Sequence, residues 1–174
     1  MKIPPRFGMV TGLIVGVWNI SCFTIVGKLN NVFSIGIPAE RLRAYSGLLG
    51  IIILITGISL GINAVKRRNG NAISFGKAAK TGVVISIITA IIVACFSLLY
   101  CTVINPSYTD YMVNQAKQNL LAAGKTTAEI STALEATRRQ FSTASQVLQA
   151  LIAQSVIGSI SSVIIGFFSR TKKA

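Results

Sequence analysis

The chain has 174 residues, 52% hydrophobic and 12% charged, with 17 Lys+Arg against 4 Asp+Glu, a formal net charge of +13 and no histidine. A charge fraction of 12% against ~25% in soluble domains, with a mean hydropathy of +0.66, excludes an ordinary soluble globule and points to a single integral membrane domain over residues 1–174. The missing imidazoles exclude His-based acid–base chemistry, and Cys22, Cys95 and Cys101, odd in number and without C-x-x-C spacing, support neither a disulfide framework nor a zinc site.

Lys2 and Arg6 flank Pro4-Pro5 and lead into an apolar run over 8–27. The run is longer than the apolar part of a signal peptide, and the KLNNVFSIG that follows carries no A-x-A-like site, so it is expected as an uncleaved first span. Gly8, Gly12 and Gly16 recur every fourth position, which cuts a groove for another helix. Asn19 is expected to hydrogen-bond across to a neighbouring helix, because an unpaired amide in lipid is costly.

A polar loop is expected over 28–45, with a break at Gly36/Pro38 and then Glu40, Arg41 and Arg43. The second span is expected over 46–65, with Gly50, Gly57 and Gly61 near one face. Lys66, Arg67 and Arg68 end it and Asn69-Gly70 makes a turn. The loop 66–80 holds five basic residues and no acid; its glycines fit neither the phosphate-loop nor the dinucleotide spacing. The third span, 81–104, has 24 residues without a charge. At about 1.5 Å per residue this is roughly 36 Å, enough to cross a hydrocarbon layer of roughly 30 Å. Gly82, Ser86, Ala90 and Ala94 continue the small-residue spacing, and Asn105-Pro106 stops the helix.

An insert over 107–147 follows. A helix from Tyr108 to Ala123 is expected to carry Tyr108, Tyr111 and Met112 on one side, and Gly124-Lys125 breaks it. Thr126 and Glu129 form a capping box for the next helix. That helix carries Ile130, Leu134, Thr137, Phe141, Ala144, Leu148 and Leu151 alternating four and three apart, a narrow seam opposite Glu135, Arg138, Arg139 and Gln140. Ile130, Leu134, Phe141 and Leu148 are its candidate interaction residues. No Gly or Pro lies between Lys125 and Gly158, so the seam helix is free to continue unbroken into a fourth span over 148–168, with Gly158, Ser162 and Gly166 four apart. Arg170, Lys172 and Lys173 close the chain.

The expected fold is therefore all-α: an integral membrane four-helix bundle with an amphipathic helical hairpin between the third and fourth spans. With four spans, ten Lys/Arg fall on the side of both termini and the 66–80 loop, and seven are spread over the longer segments of the other side. The positive-inside rule places both termini in the cytoplasm and the hairpin in the periplasm.

The segments GINAVKRRNGNAISFGKAAKTGVVIS and TVINPSYTDYM, followed by the amphipathic stretch and last helix, resemble the domain-of-unknown-function family 4199 (DUF4199) over essentially the whole chain. Ile73 to Lys80 (ISFGKAAK) followed by Gly82 is the most specific part. The resemblance implies a small four-helix membrane protein of the bacterial inner membrane, and it implies no activity.

No nucleophile–base pair, metal cluster or nucleotide loop is legible, so no enzyme, cofactor, catalytic residue or metal ligand is assigned. The small-residue stripes and the seam point to a structural or interaction protein in the lipid bilayer, self-associating or bound to a membrane-protein partner. Nucleic acid is not expected, because the positive charge flanks the apolar runs. The alternative is a transporter or channel subunit for a neutral solute, lined by Asn19, Thr56, Ser59, Asn63 and Thr89. Against it, no ionisable side chain lies inside an expected span.

Overall fold

A computed structural model describes residues 3–22, 24 and 39–171, with 39–44 described by backbone alone. The expected end of the first span at Gly27, the Gly36/Pro38 break, and the basic residues Lys2, Lys28, Lys172 and Lys173 lie outside the described residues. Six α-helices are described, and Pro and Gly set several of their limits.

Helix α1 spans Ile3–Ser21. Pro4 and Pro5 sit in its first turn, where a missing N–H costs no helical bond. Helix α2 spans Ala39–Arg68 and so takes in Glu40 to Tyr45, which were expected as loop. The correction follows from AERLRA, a run of good helix formers leading directly into the apolar stretch. Lys66, Arg67 and Arg68 lie inside its last turn, where cations meet the negative end of the helix dipole. The turn after it uses left-handed backbone at Gly70 (φ 67°) and Asn71 (φ 61°).

Helix α3 spans Phe75–Leu99, so the basic lead-in before Thr81 is helical too. Ser74 Oγ accepts from Lys77 N at 3.4 Å at its start. A π-helical turn, Tyr100–Ile104, extends it. The turn closes where Asn105 N donates to Tyr100 O at 2.7 Å. Asn105 then leaves helical geometry (φ −140°, ψ 73°), as a residue before proline must.

Helices α4 (Tyr108–Ala122), α5 (Thr127–Gln140) and α6 (Thr143–Ser169) complete the chain. The seam helix does not run unbroken into the last span: the chain turns at Phe141-Ser142. Thr109 Oγ1 donates to Phe141 O at 2.9 Å, and Ser142 Oγ accepts from Ser145 N at 3.4 Å, so hydrogen bonds from outside the helix replace its own.

Among the described residues three helical stretches are long and apolar enough to cross a membrane: Tyr45–Arg68, Phe75–Ile104 and Thr143–Ser169. The described α1 is not one of them; it has 19 residues and carries two prolines, Arg6 and Asn19.

The chain divides into two compact units, Met1–Val93 with Leu151–Ala174, and Ala94–Ala150; the second contains the expected 107–147 insert. In the first, Leu54, Ile58, Ile62, Val65, Ile73, Ala78 and Ile85 form a buried cluster, with Ile3, Phe7, Ile157 and Ile165 packed against it. Large apolar side chains also face outward on every helix, among them Ile14, Ile52, Ile91 and Ile160, each more than half exposed. Large aliphatics lie outside as well as inside this unit, the distribution expected of a bundle whose helices face lipid.

In the second unit, α4 and α5 pair as a hairpin that turns at Gly124 (φ 67°). Cys101, Tyr108 and Met112 are buried, with Tyr100 and Phe141 packed against them. The Tyr108 ring meets Tyr100 edge-on at 5.6 Å and Phe141 at 6.3 Å. Tyr111 does not join Tyr108 and Met112 inside: it is 55% exposed, and Val113 is buried instead. The buried stripe runs through 108, 112 and 113, and position 111 falls outside it.

Candidate functional site

Among the described residues no group of three or more His, Cys, Asp or Glu is placed to hold a metal ion; what the sequence of the first unit builds is a set of close helix crossings. Gly8, Gly12 and Gly16 on α1, Gly57 and Gly61 on α2, Gly82 and Ser86 on α3, and Gly158, Ser162 and Gly166 on α6 are all buried.

Helix α1 takes a ridge of isoleucines from α3 into its groove. A Cβ on Gly8 would stand 2.8 Å from Ile88 Cβ, and one on Gly12 2.8 Å from Ile92 Cβ. No side chain larger than hydrogen fits there. Thr89 Oγ1 donates to Gly8 O at 3.2 Å across the same contact. On the α2 side, Thr11 lies against Gly57, and Phe7 Cβ would be 3.3 Å from a Cβ on Gly61.

Helices α3 and α6 meet in a reciprocal antiparallel arrangement. Gly82 faces Ser162 and Gly158 faces Ser86; an added Cβ would approach the serine Cβ to 2.6 Å and 2.5 Å respectively. Both serines are fully buried. Ser86 Oγ donates to Gly82 O at 2.8 Å, and Ser162 Oγ to Gly158 O at 2.6 Å. Each hydroxyl thus bonds back to the glycine one turn earlier on its own helix, so the small groups meet without an unpaired donor between them. Gly166 extends the contact towards Ala78 and Ala79.

Asn19 does bond across helices: Ser46 Oγ donates to Asn19 Oδ1 at 3.2 Å, and Trp18 Nε1 donates to Ser46 O at 3.2 Å. The residues that would line a solute path are not brought together. Thr56 and Asn63 are exposed, with Thr56 Oγ1 bonded to Ile52 O at 2.8 Å, while Thr89 is buried against α1. Cys22 and Cys101 are buried and Cys95 is exposed.

The seam is divided by the turn at Phe141-Ser142. Ile130 and Leu134 are half-buried on α5, Phe141 belongs to the aromatic cluster, and Leu148 lies on α6 at 56% exposure. The capping box is present in full: Glu129 N donates to Thr126 Oγ1 at 3.4 Å, and Thr126 N to Glu129 Oε2 at 2.9 Å. These bonds from Thr126, with Lys125 Nζ 3.2 Å from Glu129 Oε1, hold the Glu129 carboxyl below its ordinary range.

Sequence reasoning missed Ile85, Ile88 and Ile92 as the ridge opposite the α1 glycines, and Ser142 as a cap. The Phe-Ser-Thr triplet before Ala144 was the available signal for the cap, since Ser is a preferred N-cap residue. No local signal pairs a glycine with an isoleucine some 80 positions away.

Compared with known proteins, residues 6–171 match the model of a family described as protein of unknown function (DUF4199). No curated protein and no solved structure matches the chain.

Proposed function

The chain belongs to the DUF4199 family, and from that footing we propose that it is a polytopic protein of the bacterial inner membrane that works by association rather than by catalysis. In this reading α1 is a fourth span, both termini are cytoplasmic, and residues 107–147 form a periplasmic hairpin. The protein self-associates or binds a membrane partner.

The observation that carries the reading is the α3–α6 crossing, where Gly82 and Gly158 admit the buried serines Ser162 and Ser86. Between lipid-solvated helices there is no hydrophobic drive to associate, so close dispersion contact and paired polar groups must hold them. A neutral-solute path needs a gap between helices, and this crossing is filled. The buried polar side chains Thr81, Ser86, Thr89 and Ser162 bond to backbone carbonyls rather than turning polar atoms towards a path.

The test is crosslinking of the full chain in native membranes beside solute flux into proteoliposomes. A discrete homo-oligomeric or heteromeric adduct without flux supports association. Monomer alone, with uptake of a neutral solute, overturns it in favour of transport.

A further inference from the structure

One end of the first unit is tied together by hydrogen bonds. Lys66 Nζ, in the last turn of α2, donates to Ser169 O at the end of α6 at 3.1 Å. Thr171 N donates to Ile73 O at 3.0 Å, and Thr171 Oγ1 donates to Asn71 O at 3.2 Å while accepting from Ile73 N at 3.4 Å. The end of α2, the start of α3 and the end of α6 are thereby held at one level. That level carries Lys66, Arg67, Arg68, Lys77, Lys80 and Arg170, and no acidic residue lies in 66–80 or 166–174. Lys66 is half-buried by its bond; the other five are exposed. Three aromatic rings are exposed beside them: Phe75 at 41%, Phe167 at 50% and Phe168 at 79%. The Arg170 guanidinium carbon stands 4.3 Å from the Phe167 ring centroid.

We propose that this end of the unit binds anionic phospholipid headgroups, with Arg67, Arg68, Lys77, Lys80 and Arg170 on the phosphates and the phenylalanines among the upper acyl chains. A soluble inorganic anion asks for cations alone. Cations and exposed rings at one level fit the boundary where headgroup meets hydrocarbon. Arginine's fork suits phosphate oxygens, and lysine adds point charge. The ties through Ser169 and Thr171 fix the spacing of the cations, which a mobile tail would not do.

The inference rests on the membrane reading above, and its experiment separates the two. The full chain, purified in neutral detergent, is mixed with equal phosphatidylcholine and phosphatidylglycerol, and retained lipid is counted by native mass spectrometry. The wild type should retain phosphatidylglycerol preferentially. Arg67→Gln/Arg68→Gln/Lys80→Gln should lower that retention about tenfold or more, taking each cation near the surface as a severalfold factor. The charge-matched control Lys125→Gln/Arg138→Gln/Arg139→Gln should retain it like the wild type. Lys77→Gln/Arg170→Gln is a second variant should the first fail to fold, with the same expected direction. Equal loss in variant and control would reduce the effect to net charge and overturn the proposal. So would displacement of the lipid by millimolar inorganic phosphate, or by an oligonucleotide at physiological salt. Failure of the wild type to insert into vesicles removes the membrane reading itself, whereas insertion without lipid preference removes only this site.

Discussion

Two glycines show where context reverses an ordinary rule and where it does not. In a helix, Gly→Ala normally stabilises by about 1 kcal/mol. At Gly158 the new methyl would lie 2.5 Å from Ser86 Cβ, next to backbone that has no free rotation to give way. Overpacking of this kind costs about 1–3 kcal/mol. Gly158→Ala is therefore expected to lower the thermal unfolding midpoint in detergent, and Gly76→Ala, where nothing lies within 4 Å of the added carbon, to leave it unchanged or raise it. Because the contact is reciprocal, Ser86→Gly added to Gly158→Ala should recover much of the loss; no recovery would mean the crossing is not the cause. Glu129 supplies a second residue-scale prediction. Its carboxyl is held low by Thr126 and Lys125, so its support for α5 is present above the ordinary glutamate range and lost as pH falls through the lowered value. Protection of the amides in the first turn of α5, taken relative to exchange of an unstructured chain at the same pH, should fall on acidification, and E129Q should remove that dependence. An unchanged profile in E129Q would assign the effect to another group.

At the scale of elements, α4 and α5 are tied, beside the Thr109–Phe141 hydrogen bond, by two side-chain contacts of unequal strength. Arg138 and Asp110 are 3.3 Å apart, but both side chains are 63% exposed, so the pair is worth at most about 1 kcal/mol. Phe141 contributes ring contact with Tyr108 and packs on the buried Cys101, Tyr108 and Met112. Removing a large buried ring costs about 3–5 kcal/mol, and a half-buried one roughly half of that. Phe141→Ala should therefore expose the amides of Tyr108–Gln140 to exchange, while Asp110→Asn leaves them nearly as protected as before. The reverse order would make the ion pair, not the aromatic cluster, the organiser of the hairpin.

For the whole molecule, charge placement decides orientation. Residues 66–80 carry five basic side chains, whereas Tyr108–Gln140 carries only Lys117, Lys125, Arg138 and Arg139 over more than twice the length. A fusion reporter at Asn71 should read as cytoplasmic and one at Lys125 as periplasmic. A periplasmic signal at Asn71 would overturn the orientation, and matching signals at both sites would remove the span between them.

Helical content, the apolar runs, the small-residue spacing, the capping box and the stop at Pro106 were all legible in the sequence, because each depends on residues within a turn or two of one another. Helix ends were less legible. Lys66–Arg68 and the Phe75–Lys80 lead-in read as loop because charge looks like solvent, yet both are helical next to an apolar stretch. The turn at Phe141-Ser142 was only half legible: Ser142 is a preferred cap residue, but the donation from Thr109, 32 positions away, to Phe141 O has no local signal. Only the tertiary structure decided which groove each ridge enters: Ile88 against Gly8, Ser162 against Gly82, Ser86 against Gly158. A glycine every fourth residue says that something can come close. What comes close is set by how separate helices run past one another, and no local pattern carries that information.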